Sequence, residues 1–265
     1  MTQRGASSVV LSDEKVADKI REMWPDVNAW VAQAPDGWTA EPNSELADDD
    51  TATGGDTTHT VRTSLVIGSE ALMMACAWLN NHGPTMFATR ALLRTALVGG
   101  AQAVWMLCPD EASTRITRTR MVRRESVARH QEWLKDVETV QVGADELDNI
   151  TAVRASLSGI EDRLGPGARA RMTTMVKEAT AFVYGDANIV QSVLVEWRSA
   201  SGLAHALPWD LHTRAQNTTT TKLPDGRLLV STRSRLGDHQ AALSASYALL
   251  QTGWNLLEQR GTALH

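Results

Sequence analysis

Apolar residues recur at three- and four-residue spacing along most of the chain, and this periodicity restricts the fold more than any other feature. It describes a succession of helices, each of which must bury one face against another. Residues 62–81 and 85–107 are dense in Ala, Leu, Val and Met, so they are expected as central core helices, with Pro84 at the start of the second. Amphipathic helices are expected over 110–140, anchored by Ile116, Val122, Val127, Trp133 and Leu134, and over 144–164, ended by Gly165-Pro166-Gly167. Further helices follow at 168–184, ended by Gly185, at 187–206, stopped by Pro208, and at about 237–260. An earlier helix begins at Ser12-Asp13-Glu14-Lys15, an N-cap followed by acids, and reaches about Gln33 with an interruption near Pro25. The fold class expected is all-α, a multi-helix bundle.

Two stretches depart from the helical period. Thr218–Thr221 and Leu228–Thr232 flank Leu223-Pro224-Asp225-Gly226-Arg227, which predicts one short β-hairpin near 218–232. Residues 35–60 carry Pro35, Gly37, Pro42, Asp48-Asp49-Asp50 and Gly54-Gly55, and are expected as an acidic loop or linker. The expected organisation is therefore a helical segment over 1–34, the acidic loop over 35–60, and a helical bundle with the inserted hairpin over 61–265.

Charge divides along the same line. The net charge is −5, but residues 1–60 hold four bases and twelve acids, so the front end is −8 and the remaining 205 residues are +3. Only Cys76 and Cys108 are present, too few for a disulfide scaffold or a structural zinc site. The longest apolar stretches are interrupted by Glu70, Arg94 and Gln102, so no membrane partner is expected, and without an apolar leader a cytoplasmic location is expected. No phosphate-binding glycine loop, serine nucleophile elbow or His-Glu-x-x-His helix occurs, and no cofactor or metal is expected. Trp78, Trp105, Trp133, Trp197 and Trp254 sit on apolar faces and are expected as core anchors.

Two segments hold candidate site residues. Arg115, Arg118, Arg120, Arg123 and Arg124 fall within ten residues. Guanidinium forks suit phosphates, yet at about 100° per residue these five do not form one stripe, so intramolecular ion pairs are the competing reading. In the helix 187–206, Gln191, Arg198 and His205 are spaced by seven and form a polar column beside the face of Val190, Val193, Leu194, Trp197, Ser201 and Ala204. Positions two turns apart stand about 10 Å apart, within reach of one phosphodiester.

The segment Glu196-Trp197-Arg198-Ser199-Ala200-Ser201-Gly202-Leu203-Ala204-His205 resembles the aromatic-then-Ser-then-His helix of bacterial all-α proteins of the HEPN superfamily. It is also similar to that family's nuclease signature, an Arg followed four to six residues later by a His. Ala91-Leu92-Leu93-Arg94-Thr95-Ala96-Leu97 resembles its early core helix bearing an Arg. The resemblance spans about residues 60–260. It implies a metal-independent ribonuclease or toxin-type RNA-binding protein, working as a homodimer, with Arg198 and His205 as catalytic residues. Gln191, Arg94, Arg115, Arg118 and Arg123 would then contact RNA. Ser199 follows Arg198 where catalytic members often carry Asn, Asp or His. The alternative is a non-catalytic regulatory protein that docks a protein partner through residues 36–60 and the hairpin, with His205 acting as a helix C-cap.

Overall fold

A computed structural model describes residues 12–33, 38–85, 87–140, 144–205, 207, 218–232 and 234–263. Among these residues the chain is all-α apart from two short strands. It runs α1 (Asp13–Ala32), α2 (Glu45–Thr53), α3 (Asp56–His82), α4 (Ala88–Leu107), α5 (Ala112–Glu138), α6 (Ala144–Leu164), α7 (Met172–Tyr184) and α8 (Ala187–Ala204). Strands β1 (Thr218–Lys222) and β2 (Leu228–Thr232), a 3₁₀ turn (Leu236–His239) and α9 (Gln240–Gly261) complete it. β1 and β2 pair antiparallel, with Thr220 opposite Val230. No helix among the described residues is long and apolar enough to cross a membrane.

The bundle is built around α4, which packs most extensively on α3 and α9 and also meets α5, α7 and α8. Its apolar residues point in almost every direction, with Leu93, Ala96, Leu97, Ala101, Ala103, Val104, Met106 and Leu107 all buried, as befits a helix enclosed on several sides. Glycine lets its neighbours approach. A Cβ on Gly99 would lie 2.4 Å from the Ser64 carbonyl oxygen of α3, and one on Gly100 would lie 2.8 Å from the Leu250 nitrogen of α9. A small second core of Val127, Leu134, Leu157 and Leu164 joins the C-terminal half of α5 to α6.

Three expectations need correction. Helix α1 runs unbroken through Pro25, because Val16, Ile20 and Met23 before it and Val27 and Trp30 after it bury in one core. Residues 45–53, expected as part of a loop, form α2, and α3 begins at Asp56. Ser44 caps α2 by accepting from the Ala47 N–H at 3.2 Å, and Gly54 ends it at a φ of 69°. The period is invisible in the sequence because the inward positions of this short helix are Leu46 and an acid, Asp49, both fully buried. Trp105 and Trp254 are buried as expected, whereas Trp78 and Trp133 are 41% and 54% exposed.

Candidate functional site

Helix α8 starts at Asp186, whose carboxylate accepts from the N–H groups of Asn188 (2.7 Å) and Ile189 (3.1 Å). Val190, Val193, Leu194, Ala200 and Leu203 form its buried face, and this phase turns Gln191 and Arg198 to solvent. His205 ends the helix and is also exposed. Its backbone N–H donates to the carbonyls of Ser201 and Gly202, both at 3.2 Å, but among the described residues its ring has no partner. The guanidinium of Arg198 likewise has none. The expected capping role for the imidazole is therefore filled by the backbone.

Between this exposed column and the buried face, three polar side chains of α8 meet arginines of α4. Arg90 donates to Ser199 Oγ at 3.4 Å and to the Asp238 carbonyl at 3.2 Å, and lies 3.8 Å from the Glu196 carboxylate. Arg94 Nε donates to Ser201 Oγ at 2.7 Å. Ser201 follows Arg198 by three residues and precedes His205 by four, so all three share one side of the helix. Arg94 thus stands beside the Arg198/His205 column. Ser199, which follows Arg198, is buried and accepts a hydrogen bond from Arg90. The sequence reading missed Arg90. The signal was present in the four-residue spacing of Arg90 and Arg94 on an otherwise apolar helix, since buried guanidiniums must find acceptors on a neighbour.

The arginines of α5 have a different fate. Arg115 is 1% exposed and forks onto Asp49, with Nε 2.6 Å and Nη2 3.3 Å from its two oxygens. It also lies 3.0 Å from Glu45 and donates to the Pro109 and Asp110 carbonyls at 3.1 and 2.6 Å. Arg115 is consequently no phosphate contact, because it is buried beneath α2. Arg118 donates to Glu178 (2.8 Å) and to the Trp105 carbonyl (2.7 Å) while lying over the Trp105 ring, 4.7 Å from its centroid. Arg124 closes the end of α6 by donating to the Leu164 and Gly165 carbonyls at 2.6 and 3.0 Å. Four of the five arginines bind other elements of this chain, since Arg120 donates to the Ala52 carbonyl at 3.1 Å.

Arg123 also pairs with another element, through Asp56 of α3, but less completely. Its Nε lies 3.0 Å from Asp56 but makes no aligned hydrogen bond there. Together with Arg94 it lines a cavity of about 340 Å³ between α3, α4 and α5, which also takes in His59, Thr63 and Gln102. The structure therefore brings two expected RNA contacts, Arg94 and Arg123, to one cavity and places Gln191, Arg198 and His205 on the α8 surface. His59 went unnoticed in the sequence because only packing brings α5 alongside it.

Among the front-end acids, Glu45, Asp49, Asp50 and Asp56 engage other groups of the chain. Asp49 and Glu45 meet Arg115, Glu45 also pairs with Arg260, Asp56 meets Arg123, and Asp50 accepts from the Thr58 N–H at 2.9 Å. Residues 45–56 thus form a packed element and not a free acidic docking segment. Burial pushes the Asp49 carboxyl above its ordinary value, while the hydrogen bond and charge of Arg115 pull it back. Burial also pushes the Cys76 thiol up to about 12. Among the described residues no His, Cys, Asp and Glu group has the arrangement of a metal site.

Comparison with protein-family models, curated proteins and solved structures finds no match to this chain.

Proposed function

We propose that this chain is a HEPN-like protein that cleaves RNA without a metal, through Arg198 and His205. The observation that carries the reading is that both side chains face solvent from one side of α8 without a partner among the described residues, with Arg94 anchored beside them through Ser201. Unengaged groups of these types can act on a polymer that arrives from solution. A neutral imidazole accepts the 2′-hydroxyl proton, the 2′-oxygen attacks the adjacent phosphorus, and the bond to the 5′-oxygen breaks. The products are a 2′,3′-cyclic phosphate and a 5′-hydroxyl, the latter receiving a proton from the imidazolium or from water. Arg198 offsets the charge that builds on the non-bridging oxygens, and Arg94 adds a second guanidinium nearby. The need for a 2′-hydroxyl restricts the substrate to RNA.

The reading includes a homodimer with the site at the junction of two copies, as the resemblance implies. The exposed apolar Phe182 of α7 and Ile189 and Val195 of α8, each at least 40% exposed, are what such a contact would cover.

RNA incubated with the protein in EDTA is expected to yield fragments ending in 2′,3′-cyclic phosphate. His205→Ala and Arg198→Ala should slow this by about 10²-fold or more. Both positions are exposed, so circular dichroism should show unchanged helix content. No cleavage by the wild type, or equal cleavage by all three proteins, would overturn the proposal.

A further inference from the structure

The cavity between α3, α4 and α5 has a chemistry of its own. Arg94 enters it from α4, Arg123 from α5 and His59 from α3, and no Asp or Glu lines it. Neither arginine is used up by the fold. Arg94 commits one nitrogen to Ser201, Arg123 touches Asp56 without an aligned hydrogen bond, and their other nitrogens have no partner among the described residues. Thr60, which also lines the cavity, is nine-tenths buried, and its hydroxyl lacks a hydrogen-bond partner. A buried hydroxyl in that state is ordinarily satisfied by an ordered water or by a bound group, and here it belongs to a residue of the cavity lining. Ile67, Val98 and Val122 supply apolar lining to the same cavity. His59, Thr63 and Ile67 are exposed, so the cavity opens to solvent along α3.

We propose that this cavity binds a phosphate monoester of mononucleotide size, with Arg94 and Arg123 on the phosphoryl oxygens and the apolar lining against a ring. Guanidinium forks suit phosphoryl oxygens, and the free donors of Arg94 together with those that Arg123 keeps beside Asp56 favour a phosphate dianion over a neutral sugar. The volume of about 340 Å³ is that of a small-molecule site and excludes a folded polymer. The site shares Arg94 with the proposed cleavage site but uses neither Arg198 nor His205, so loss of RNA cleavage in His205→Ala and loss of ligand binding in Arg123→Gln are separable.

The test is calorimetric titration of the full chain with AMP, adenosine and inorganic phosphate. AMP is expected to bind saturably and at least tenfold more tightly than adenosine, with inorganic phosphate competing and added salt weakening the binding. Arg123→Gln removes a phosphate ligand. Ser126→Glu places a carboxylate at the exposed rim without touching the core, which guards against a folding artefact. Each should weaken AMP by at least tenfold, and His205→Ala should leave it unchanged. A short RNA with a 5′-phosphate that outcompetes its 5′-hydroxyl twin would identify an RNA terminus as the source of the monoester. Equal competition would identify a free nucleotide. AMP binding no tighter than adenosine, or undiminished in both Arg123→Gln and Ser126→Glu, would overturn the proposal.

Discussion

Arg94 and Arg115 carry the same guanidinium and end in opposite roles. Arg115 lies under α2, where leaving a charge unpaired is costly, so its donors are directed to Asp49, Glu45 and two carbonyls. Arg94 is half-buried and commits a single donor, to Ser201. Spacing singled out Arg198 and His205, and the resemblance of residues 91–97 singled out Arg94, but neither could separate them from Arg115, because exposure is set by the helix packed above. The cysteines can be judged at the same scale. Cys76 is fully buried and its thiol is pushed up to about 12, so it is overwhelmingly the protonated, unreactive form near neutral pH. A thiol-directed alkylating reagent should leave Cys76 unmodified in the folded protein and label it after denaturation, as peptide mass mapping would show. Rapid labelling of Cys76 in the native state would contradict its burial.

For the elements, glycine stops were legible, with α6 ending at Leu164 before Gly165 and α7 at Tyr184 before Gly185. Proline misled, since α1 continues through Pro25 and α4 begins at Ala88 and not beside Pro84. α2 was not legible, because a nine-residue helix with an inward Asp49 has no apolar repeat to detect. Nor could the pattern show that glycines within α4 set the distance between helices. Gly99→Ala brings a methyl group to 2.4 Å from the Ser64 carbonyl, a contact that only movement of α3 relieves. It should cost about 1–3 kcal/mol or more in urea denaturation. Gly159→Ala in α6 meets nothing within 4 Å and should stabilise by about 0.5–1 kcal/mol through helix propensity alone. Equal effects of the two substitutions would refute the close approach of α3 to α4.

At the level of the whole molecule, part of the division into a −8 front end and a +3 remainder becomes an internal pairing of charge. Glu45, Asp49 and Asp56 meet Arg115, Arg123 and Arg260, which fastens α2 and the start of α3 to α5 and α9. Arg115→Met should lose about 3–5 kcal/mol, since it strands Asp49 in the interior, and Asp49→Leu should lose a similar amount. The double variant should lose clearly less than the sum, as a thermodynamic cycle from denaturation curves would measure. Strict additivity would mean that the two charges do not depend on each other. The sequence by itself determined the class of fold and the order of the main helices, because periodicity, caps and glycine stops act within a few residues. It also selected the α8 column of Gln191, Arg198 and His205, since seven-residue spacing fixes a shared direction on one helix. Only the tertiary structure decided which arginines remain available. Arg115 loses its freedom to α2, Arg124 to the end of α6, and Arg94 and Arg123 meet across a cavity, because charge partners and exposure depend on residues up to about a hundred positions away.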